Sequence, residues 1–144
     1  MIIETKAYGP VEVAEKQLVR FPDGLYGFEQ HTEFGLLDAH SPPFYWLQST
    51  HDREVAFILV NPYLFRPDYV LDIAADDLEE IGSPGEDDIL VFAILTIPAE
   101  GEATANLQGP LVINRSRRIG KQSISLDARW KTKHSIVSEM TRSD

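Results

Sequence analysis

The sequence lacks cysteine, a long apolar run and a secretory start, and each absence excludes a class of protein. Without cysteine, the 144-residue chain forms no disulfide, no thiolate metal site and no cysteine nucleophile. Its longest apolar stretch, Ile89 to Ile97, is interrupted by Thr96 and is much shorter than the roughly 20 residues that span a bilayer. The first residues turn polar at Glu4, unlike a signal peptide. We therefore expect a cytoplasmic protein that does not associate with membranes.

The motifs of common catalytic sites are also missing. The sequence contains no glycine-rich phosphate loop after a strand, no nucleophile elbow and no serine or threonine beside an evident base. The four histidines, His31, His40, His51 and His134, lie in polar surroundings without metal-ligand spacing. We expect no catalytic residue, no metal and no cofactor. A rival class, a small-molecule-binding or hydrolytic barrel, would need a deep polar pocket with perturbed titratable groups.

Basic residues are scarce and unevenly distributed. The net charge is −10, but residues 1–114 hold 5 basic and 20 acidic residues, whereas residues 115–144 hold 8 basic and 3 acidic ones. Such an acidic body repels nucleic acid and anionic membrane, which bind through lysine and arginine. The acidity fits either a preference for basic partners or a need for solubility alone.

Short apolar segments between glycines and prolines predict an all-β, mainly antiparallel single domain over residues 1–126. The apolar segment Val55 to Val60 indicates a strand that is buried on both faces or lines a closed barrel. One short helix is expected near residues 75–81, with Gly82 as its stop, and a basic, loosely held tail over residues 127–144. The predicted strands are Ile2 to Tyr8, turning at Gly9-Pro10 into Val11 to Val13; Leu18 to Phe21; Phe34 to Leu37; Phe44 to Ser49; Val55 to Val60; Ile89 to Ile97; Leu111 to Asn114; and Gly120 to Leu126.

The best candidates for partner binding are an acidic cluster and one aromatic residue. The cluster fits a solvated helix face or a docking patch, and it lacks the alternating ligand order of a calcium loop. Tyr45 lies opposite Phe44 and Trp46 on a strand, so one side is core and the other is free to anchor a partner. The candidate residues are Asp76, Asp77, Glu79, Glu80, Glu86, Asp87, Asp88 and Tyr45.

One dense basic run, Arg115 to Lys121, has the composition of an RNA contact. Beside so acidic a body, and without interleaved aromatic residues, it favours an intramolecular or protein contact instead. We expect no direct binding of nucleic acid.

Several segments, in order, resemble the flagellar assembly factor FliW, a bacterial family of about this length. They cover most of Ile2 to Gln122 and leave the region after Leu126 without a match. The segments are Phe21 to Phe28 followed by Phe34 to Leu37; Pro43 to Ser49; Ala56-Phe57 with Asn61-Pro62; and Ala105 to Asn114 with Gly120 to Gln122.

The resemblance implies a compact, barrel-like fold and a monomeric, non-enzymatic protein with two partners. Proteins of this kind bind the RNA-binding translational regulator CsrA, and they also bind flagellin, so that flagellin controls its own translation. A flagellin-binding chaperone without CsrA binding is the alternative. The motif residues expected mainly to hold the fold are Phe21, Pro22, Gly24, Gly27, Phe28, Asn61, Pro62, Asn106, Leu107, Pro110 and Asn114.

Overall fold

Seven strands close into a barrel in the computed structural model, which describes residues 1–136. The order around the barrel is β8-β7-β6-β5-β4-β3-β9, and β9 pairs again with β8. The predicted all-β, barrel-like fold with a short helix is confirmed. The elements are β1 (Ile2–Thr5), β2 (Gly9–Glu12), β3 (Leu18–Arg20), β4 (Glu33–Asp38), β5 (Tyr45–Ser49), β6 (Ala56–Val60), α1 (Ala75–Glu80), β7 (Ile89–Thr96), β8 (Thr104–Asn114), β9 (Ile119–Gln122) and β10 (His134–Ser135), with 3-10 helices at Glu15–Gln17, Pro62–Leu64 and Glu86–Asp88.

The barrel closes through one short parallel contact between β3 and β9. Arg20 is paired with Ile119, and the backbone N–H of Arg20 donates to the carbonyl of Arg118 at 2.9 Å. The other barrel pairings are antiparallel. Closure matters because it pairs both edges of every barrel strand and removes the free edge that an open sheet exposes.

The barrel interior is filled by large apolar side chains that alternate along the strands. Phe21, Phe34, Leu47, Leu59 and Leu111 are fully buried there. On β6, Leu59 points inward while Val60 packs on the outside against other apolar residues. Both faces of β6 are therefore covered, which explains its uninterrupted apolar sequence.

Two outlying segments of the chain cover parts of the barrel's outer face. The β1–β2 hairpin places Ile3 and Val13 on Leu37 of β4. On the opposite side, Trp130 packs with Leu107 and Ala105 of β8. Burial of these outward-facing residues gives the barrel an apolar layer on the outside as well as the inside.

Three predicted segments differ most from the structure, and the first is the strand predicted over Leu111 to Asn114, which is only the last part of β8 (Thr104–Asn114). The other two lie at the first turn and after β9. The first turn lies at residues 6–8, and Gly9 and Pro10 belong to β2, where Pro10 is tolerated because it lies on an edge strand. The predicted strand Gly120 to Leu126 ends at Gln122. After Gln122 the backbone runs beside an irregular stretch of β8, and the Ser123 N–H donates to the carbonyl of Pro110. The side chains of Ile124 and Leu126 are exposed.

The segment after residue 126 packs firmly on the barrel up to Ile136, unlike the loosely held tail that the sequence predicts. Trp130 is only 1% exposed, and β10 pairs with Thr104 and Ala105 of β8. One large aromatic side chain in a polar segment supplies enough apolar area to hold the segment down. The domain thus extends past the predicted boundary, and the rest of the predicted tail, residues 137–144, lies outside the described residues.

Candidate functional site

The predicted acidic cluster forms one exposed edge of the barrel, which we call the acidic edge and define as residues 76–88. Helix α1 supplies its first half, with Asp76 and Asp77 in the first turn, where the helix dipole favours negative charge. Gly82 ends the helix with a left-handed φ of +92°, and Ile81 is buried beneath it. A 3-10 helix, Glu86–Asp88, supplies the second half.

The acidic edge is fixed to the barrel by the chain's basic run. The side-chain amide of Asn114 donates to the carbonyl of Ile81 at 2.8 Å, and the Arg115 guanidinium donates to the carbonyl of Asp87 at 2.6 Å. The Lys121 ammonium lies 2.7 Å from Glu80 and 3.1 Å from Asp23. The hydrogen bond to Glu80 raises the pKa of Lys121 above its usual value. The basic run therefore makes intramolecular contacts that hold the edge in place.

The anchoring leaves part of the acidic edge pointing into solvent. Glu80 pairs with Lys121, and Asp88 lies 3.9 Å from Arg115. Four other acidic side chains of the edge are exposed and form no ion pair within residues 1–136: Asp76, Glu79, Glu86 and Asp87. Asp77 is half-buried. The edge thus presents several exposed carboxylates outside its ion pairs, and the Arg117 guanidinium lies beside them, 3.1 Å from where a Cβ of Gly82 would be.

Tyr45, the predicted aromatic anchor, lies on the inner side of its strand. Its ring packs edge-to-face on Phe92 at 5.3 Å between centroids and adjoins the barrel core. Its neighbours Phe44 and Trp46 lie on the outer side. Of the three aromatic residues in this stretch, the two that lie on the barrel's exterior are therefore Phe44 and Trp46.

Phe44 and Trp46 line an apolar groove on the outer face, which we call the outer groove. Its floor is a cross-strand row in which Trp46 of β5 is paired with Ile58 of β6, and Ile58 with Leu95 of β7. Ile97, 62% exposed, lies on its rim, and the cavity measures about 400 Å³. No Asp, Glu, Lys or Arg among the described residues lines it.

The outer groove exists because the chain covers the two ends of the row but leaves its centre open. Leu37 continues the row beyond Trp46 and lies beneath the β1–β2 hairpin. Ala105 continues it beyond Leu95 and lies beneath the Trp130 segment. The sequence analysis missed this site, because the apolar strands β6 and β7 do not reveal which of their outward residues another segment covers.

The motif residues of β8 shape an irregularity in the strand. Between Phe92 and Ile94, β7 shifts its pairing from Leu111 to Asn106, so β8 bulges between those two residues. The Asn106 side chain stabilises the bulge by accepting the backbone N–H groups of Gln108 and Gly109 at 3.1 and 2.8 Å. Leu107 and Pro110 are buried within it. The bulge lets β8 pair with β10 at one end and β9 at the other.

The other motif residues lie in two tight turns. Phe21 is fully buried, and Gly24 has a φ of +67° with the Glu29 backbone only 2.6 Å from where a Cβ would lie. Gly27 in the same turn also has a left-handed φ, of +85°. Pro22 is exposed, whereas the Phe28 ring packs edge-to-face on the Phe57 ring. In the second turn the Asn61 side chain accepts the backbone N–H of Tyr63 at 2.9 Å, and the buried Pro62 opens a 3-10 helix.

A further charged cluster that sequence analysis missed holds the C-terminal segment. The guanidinium groups of Arg66 and Arg129 each lie 4.8 Å from the centroid of the Trp130 ring. Both therefore make a cation–π contact with the same indole. Asp68 accepts two hydrogen bonds from Arg66, which hold the pKa of its carboxyl at about 2. Asp127 accepts hydrogen bonds from Arg129, which lower its pKa. The cluster has a packing role.

Residues 1–136 contain no evident metal site: no group of three or more of their His, Cys, Asp or Glu side chains has a geometry suited to a metal ion. No helix in that part of the chain has both the length and the apolar composition needed to cross a membrane.

The fold and its surfaces define a closed, seven-stranded β-barrel whose distinctive features, an acidic edge and an apolar groove, both lie on its exterior. Comparison with known proteins identifies the family. The family model described as FliW protein matches residues 2–136. The chain belongs to the FliW family, and the resemblance noted in the sequence is confirmed.

Similar proteins carry the same description over almost their full length. A flagellar assembly factor FliW from Treponema denticola is 47% identical, over 97% of this chain and 96% of that protein. One from Geobacillus thermodenitrificans is 39% identical, over 96% of this chain and 97% of that protein. A crystal structure of the flagellar assembly factor FliW superposes with a TM-score of 0.86 at 40% identity, covering 94% of this chain and 96% of that one. Flagellar assembly is a non-catalytic role, and it implies protein partners.

Proposed function

We propose that this protein binds and antagonises the translational regulator CsrA and that flagellin competes for it. When flagellin accumulates, it occupies the protein and leaves CsrA free to repress flagellin translation. When flagellin is exported, the protein captures CsrA and translation resumes. In this scheme the protein acts as a monomer, and it acts in the cytoplasm because both proposed partners are met before export.

The observation that carries the proposal is the group of exposed carboxylates on the acidic edge that lie outside its ion pairs. CsrA binds RNA and must therefore present a basic surface, which a negative edge attracts. Because Asn114, Arg115 and Lys121 hold the edge in place, little conformational freedom is lost when a partner docks. An edge that lies against or near the RNA-binding surface of CsrA also repels RNA phosphates.

A second candidate function is a flagellin-binding chaperone that does not bind CsrA. The outer groove supports it, since an apolar exterior surface suits a partner that must be shielded before assembly. Direct measurement of CsrA binding separates the two functions.

Reversing the charge of Glu79, Glu86 and Asp87 to lysine should slow association with CsrA. We expect a decrease in the association rate of about tenfold at low salt, because these side chains are exposed and contribute mainly to steering. The effect should shrink as salt is raised, since exposed charges are screened. Stopped-flow or surface-plasmon-resonance kinetics at two salt concentrations measure both quantities. Glu80 stays unchanged because its loss would release Lys121.

A matched control changes three exposed acids elsewhere, Glu4, Glu54 and Glu100, to lysine. It alters the net charge by the same amount without touching the acidic edge, so association should slow much less. Equal slowing by both variants would assign the effect to the overall charge. Unchanged association of the edge variant at low salt would remove the acidic edge from the proposal.

A further inference from the structure

We propose that one end of the barrel binds a small-molecule carboxylate with an apolar body. The strands β3, β7 and β9 finish at this end, β4 and β6 begin there, and the turn over residues 21–28 lies beside it. We call the cavity at this end, of about 440 Å³, the barrel mouth. It shares no lining residue with the acidic edge or the outer groove. The inference therefore stands apart from the proposed function.

The bulge of β8 opens the barrel mouth. Where β7 changes its partner from Leu111 to Asn106, residues 107–110 of β8 have no partner on β7. The floor of the mouth is apolar and consists of Leu25, Phe57 and Ile94, which adjoin the packed barrel interior. Because side chains fill that interior, a ligand can occupy the mouth but cannot enter the barrel.

Two side-chain amides of the mouth have orientations that the backbone fixes. The Asn106 Oδ1 accepts the backbone N–H groups of Gln108 and Gly109, so its Nδ2 points away from them. The Gln122 Oε1 accepts the backbone N–H of Tyr26 at 2.9 Å, and its Nε2 donates to the carbonyl of Gly109 at 3.1 Å. The backbone contacts therefore determine which atom of each amide is the donor.

Gly109 leaves space in which these two donors converge. A Cβ at Gly109 would lie 3.0 Å from the Gln122 Nε2 and 3.1 Å from the Asn106 Nδ2, so both nitrogens face the same point. Within residues 1–136 the Asn106 Nδ2 donates to no group, and the Gln122 Nε2 donates only to Gly109. Since a side-chain amide nitrogen carries two hydrogens, both amides keep an N–H for an oxygen that a ligand supplies.

The charge of the lining selects an anion. Lys133 is exposed and forms no ion pair within residues 1–136, and none of the described residues that line the mouth is Asp or Glu. Carboxylate oxygens only accept hydrogen bonds, so they match two amide donors beside an ammonium group. Phosphate is usually held by arginine forks or by a row of free backbone N–H groups, and no arginine lines the mouth in the described part of the chain.

The apolar floor and the volume of the mouth indicate the rest of the ligand. Small-molecule sites typically measure about 300–1,000 Å³ and combine an apolar lining with a few placed polar groups, as the mouth does. A hydrocarbon body on Phe57 and Ile94 would place its carboxylate against Asn106, Gln122 and Lys133. An aryl or alkyl monocarboxylate therefore fits the site.

The first test follows the side-chain amide signals of the full chain by ¹H–¹⁵N NMR while phenylacetate or hexanoate is added. Both probes should shift the signals of Asn106 and Gln122 in a saturable way. Phenylacetamide, which has the same shape without the charge, should bind about tenfold more weakly, because hydrogen bonds to a charged acceptor are stronger. If neither carboxylate moved these signals, or if the amide bound equally well, the inference would be overturned.

The same spectra show whether the chain itself fills the mouth. Before any probe is added, the Asn106 and Gln122 side-chain amides should give nuclear Overhauser contacts only to groups within residues 1–136. Contacts from these amides to residues 137–144 would assign the mouth to the chain's own end and would overturn the inference.

The second test is Asn106→Asp, which keeps an oxygen for the N–H groups of Gln108 and Gly109 but replaces the Nδ2 donor with a negatively charged acceptor. We expect this variant to bind phenylacetate at least about tenfold more weakly. Asn61→Asp is the matched control, because Asn61 accepts the backbone N–H of Tyr63 in the same manner outside the mouth. It should bind like the unmodified protein, and equal loss in both variants would contradict the assignment.

Lys133→Met tests the charge at an exposed position where the fold is not at risk. It should weaken phenylacetate binding by about threefold to fivefold at low salt, and less at high salt. Unchanged binding in both Lys133→Met and Asn106→Asp would overturn the inference. Since none of these results depends on CsrA or flagellin, the proposed function would be unaffected.

Discussion

Replacing Trp130 with alanine should lower the free energy of unfolding by about 3–5 kcal/mol, the usual cost of truncating a large buried aromatic residue. The indole is 1% exposed, lies 4.9 Å from the Tyr69 ring and contacts two guanidinium groups. Its removal leaves a cavity over Leu107 and unfastens the segment that carries β10. Urea denaturation followed by circular dichroism measures the change.

The control for this prediction is Trp130→Phe. Within residues 1–136 the indole N–H has no hydrogen-bond partner, so phenylalanine loses packing area and part of the cation–π contact but no hydrogen bond. We expect the loss to be less than half that of the alanine variant. If alanine cost less than about 1 kcal/mol, the C-terminal segment would not be held by its tryptophan as described.

Replacing Gly120 with alanine should destabilise the protein by about 1–3 kcal/mol through overpacking. A Cβ at this position would lie 2.7 Å from two carbons of the Phe21 ring and 3.1 Å from a side-chain carbon of Ile113. The Phe21 ring has no room to retreat, because it is fully buried and packs edge-to-face on Phe34. Thermal and urea unfolding of the variant measure the cost.

Two further variants show whether the cost comes from this contact. Gly85→Ala is the matched control, because no atom lies within 4 Å of its Cβ position and its φ of −70° suits alanine. It should be neutral or slightly stabilising. Phe21→Leu combined with Gly120→Ala should cost less than the sum of the two single changes. Strict additivity would mean that Gly120 and Phe21 do not compete for space.

The local elements were largely predictable from the sequence, whereas the closure of the barrel was not. The long apolar run of β7 and the acidic start and glycine stop of α1 specify those elements through neighbouring residues alone. Closure depends on a single bridge between Arg20 and Ile119, which are far apart in the chain. Pairing between distant residues produces no periodic pattern in the sequence. The expectation of a closed barrel therefore came mainly from the resemblance to a family.

The candidate surfaces were predictable to different degrees. The acidic edge is continuous in the sequence and was identified directly, but its ion pairs with Lys121 and Arg115 depend on the fold. The outer groove was missed because it depends on where the β1–β2 hairpin stops covering the sheet. The packed segment over residues 127–136 was missed because its two large apolar residues, Trp130 and Ile136, stand among polar ones, so its composition is that of a solvated tail.

The proposed switch requires that CsrA and flagellin exclude each other on one small barrel. They do so either by competing for one surface or through a coupling between separate sites. In both cases the linkage is reciprocal, so CsrA weakens flagellin binding by the same factor as flagellin weakens CsrA binding.

A competition titration tests the central claim most directly. CsrA is first bound to a fluorescent target RNA, this protein is added, flagellin is added last, and RNA anisotropy is followed throughout. The account predicts that the protein releases RNA from CsrA and that flagellin restores the RNA complex. RNA binding that ignored the protein, or release that flagellin failed to reverse, would contradict it.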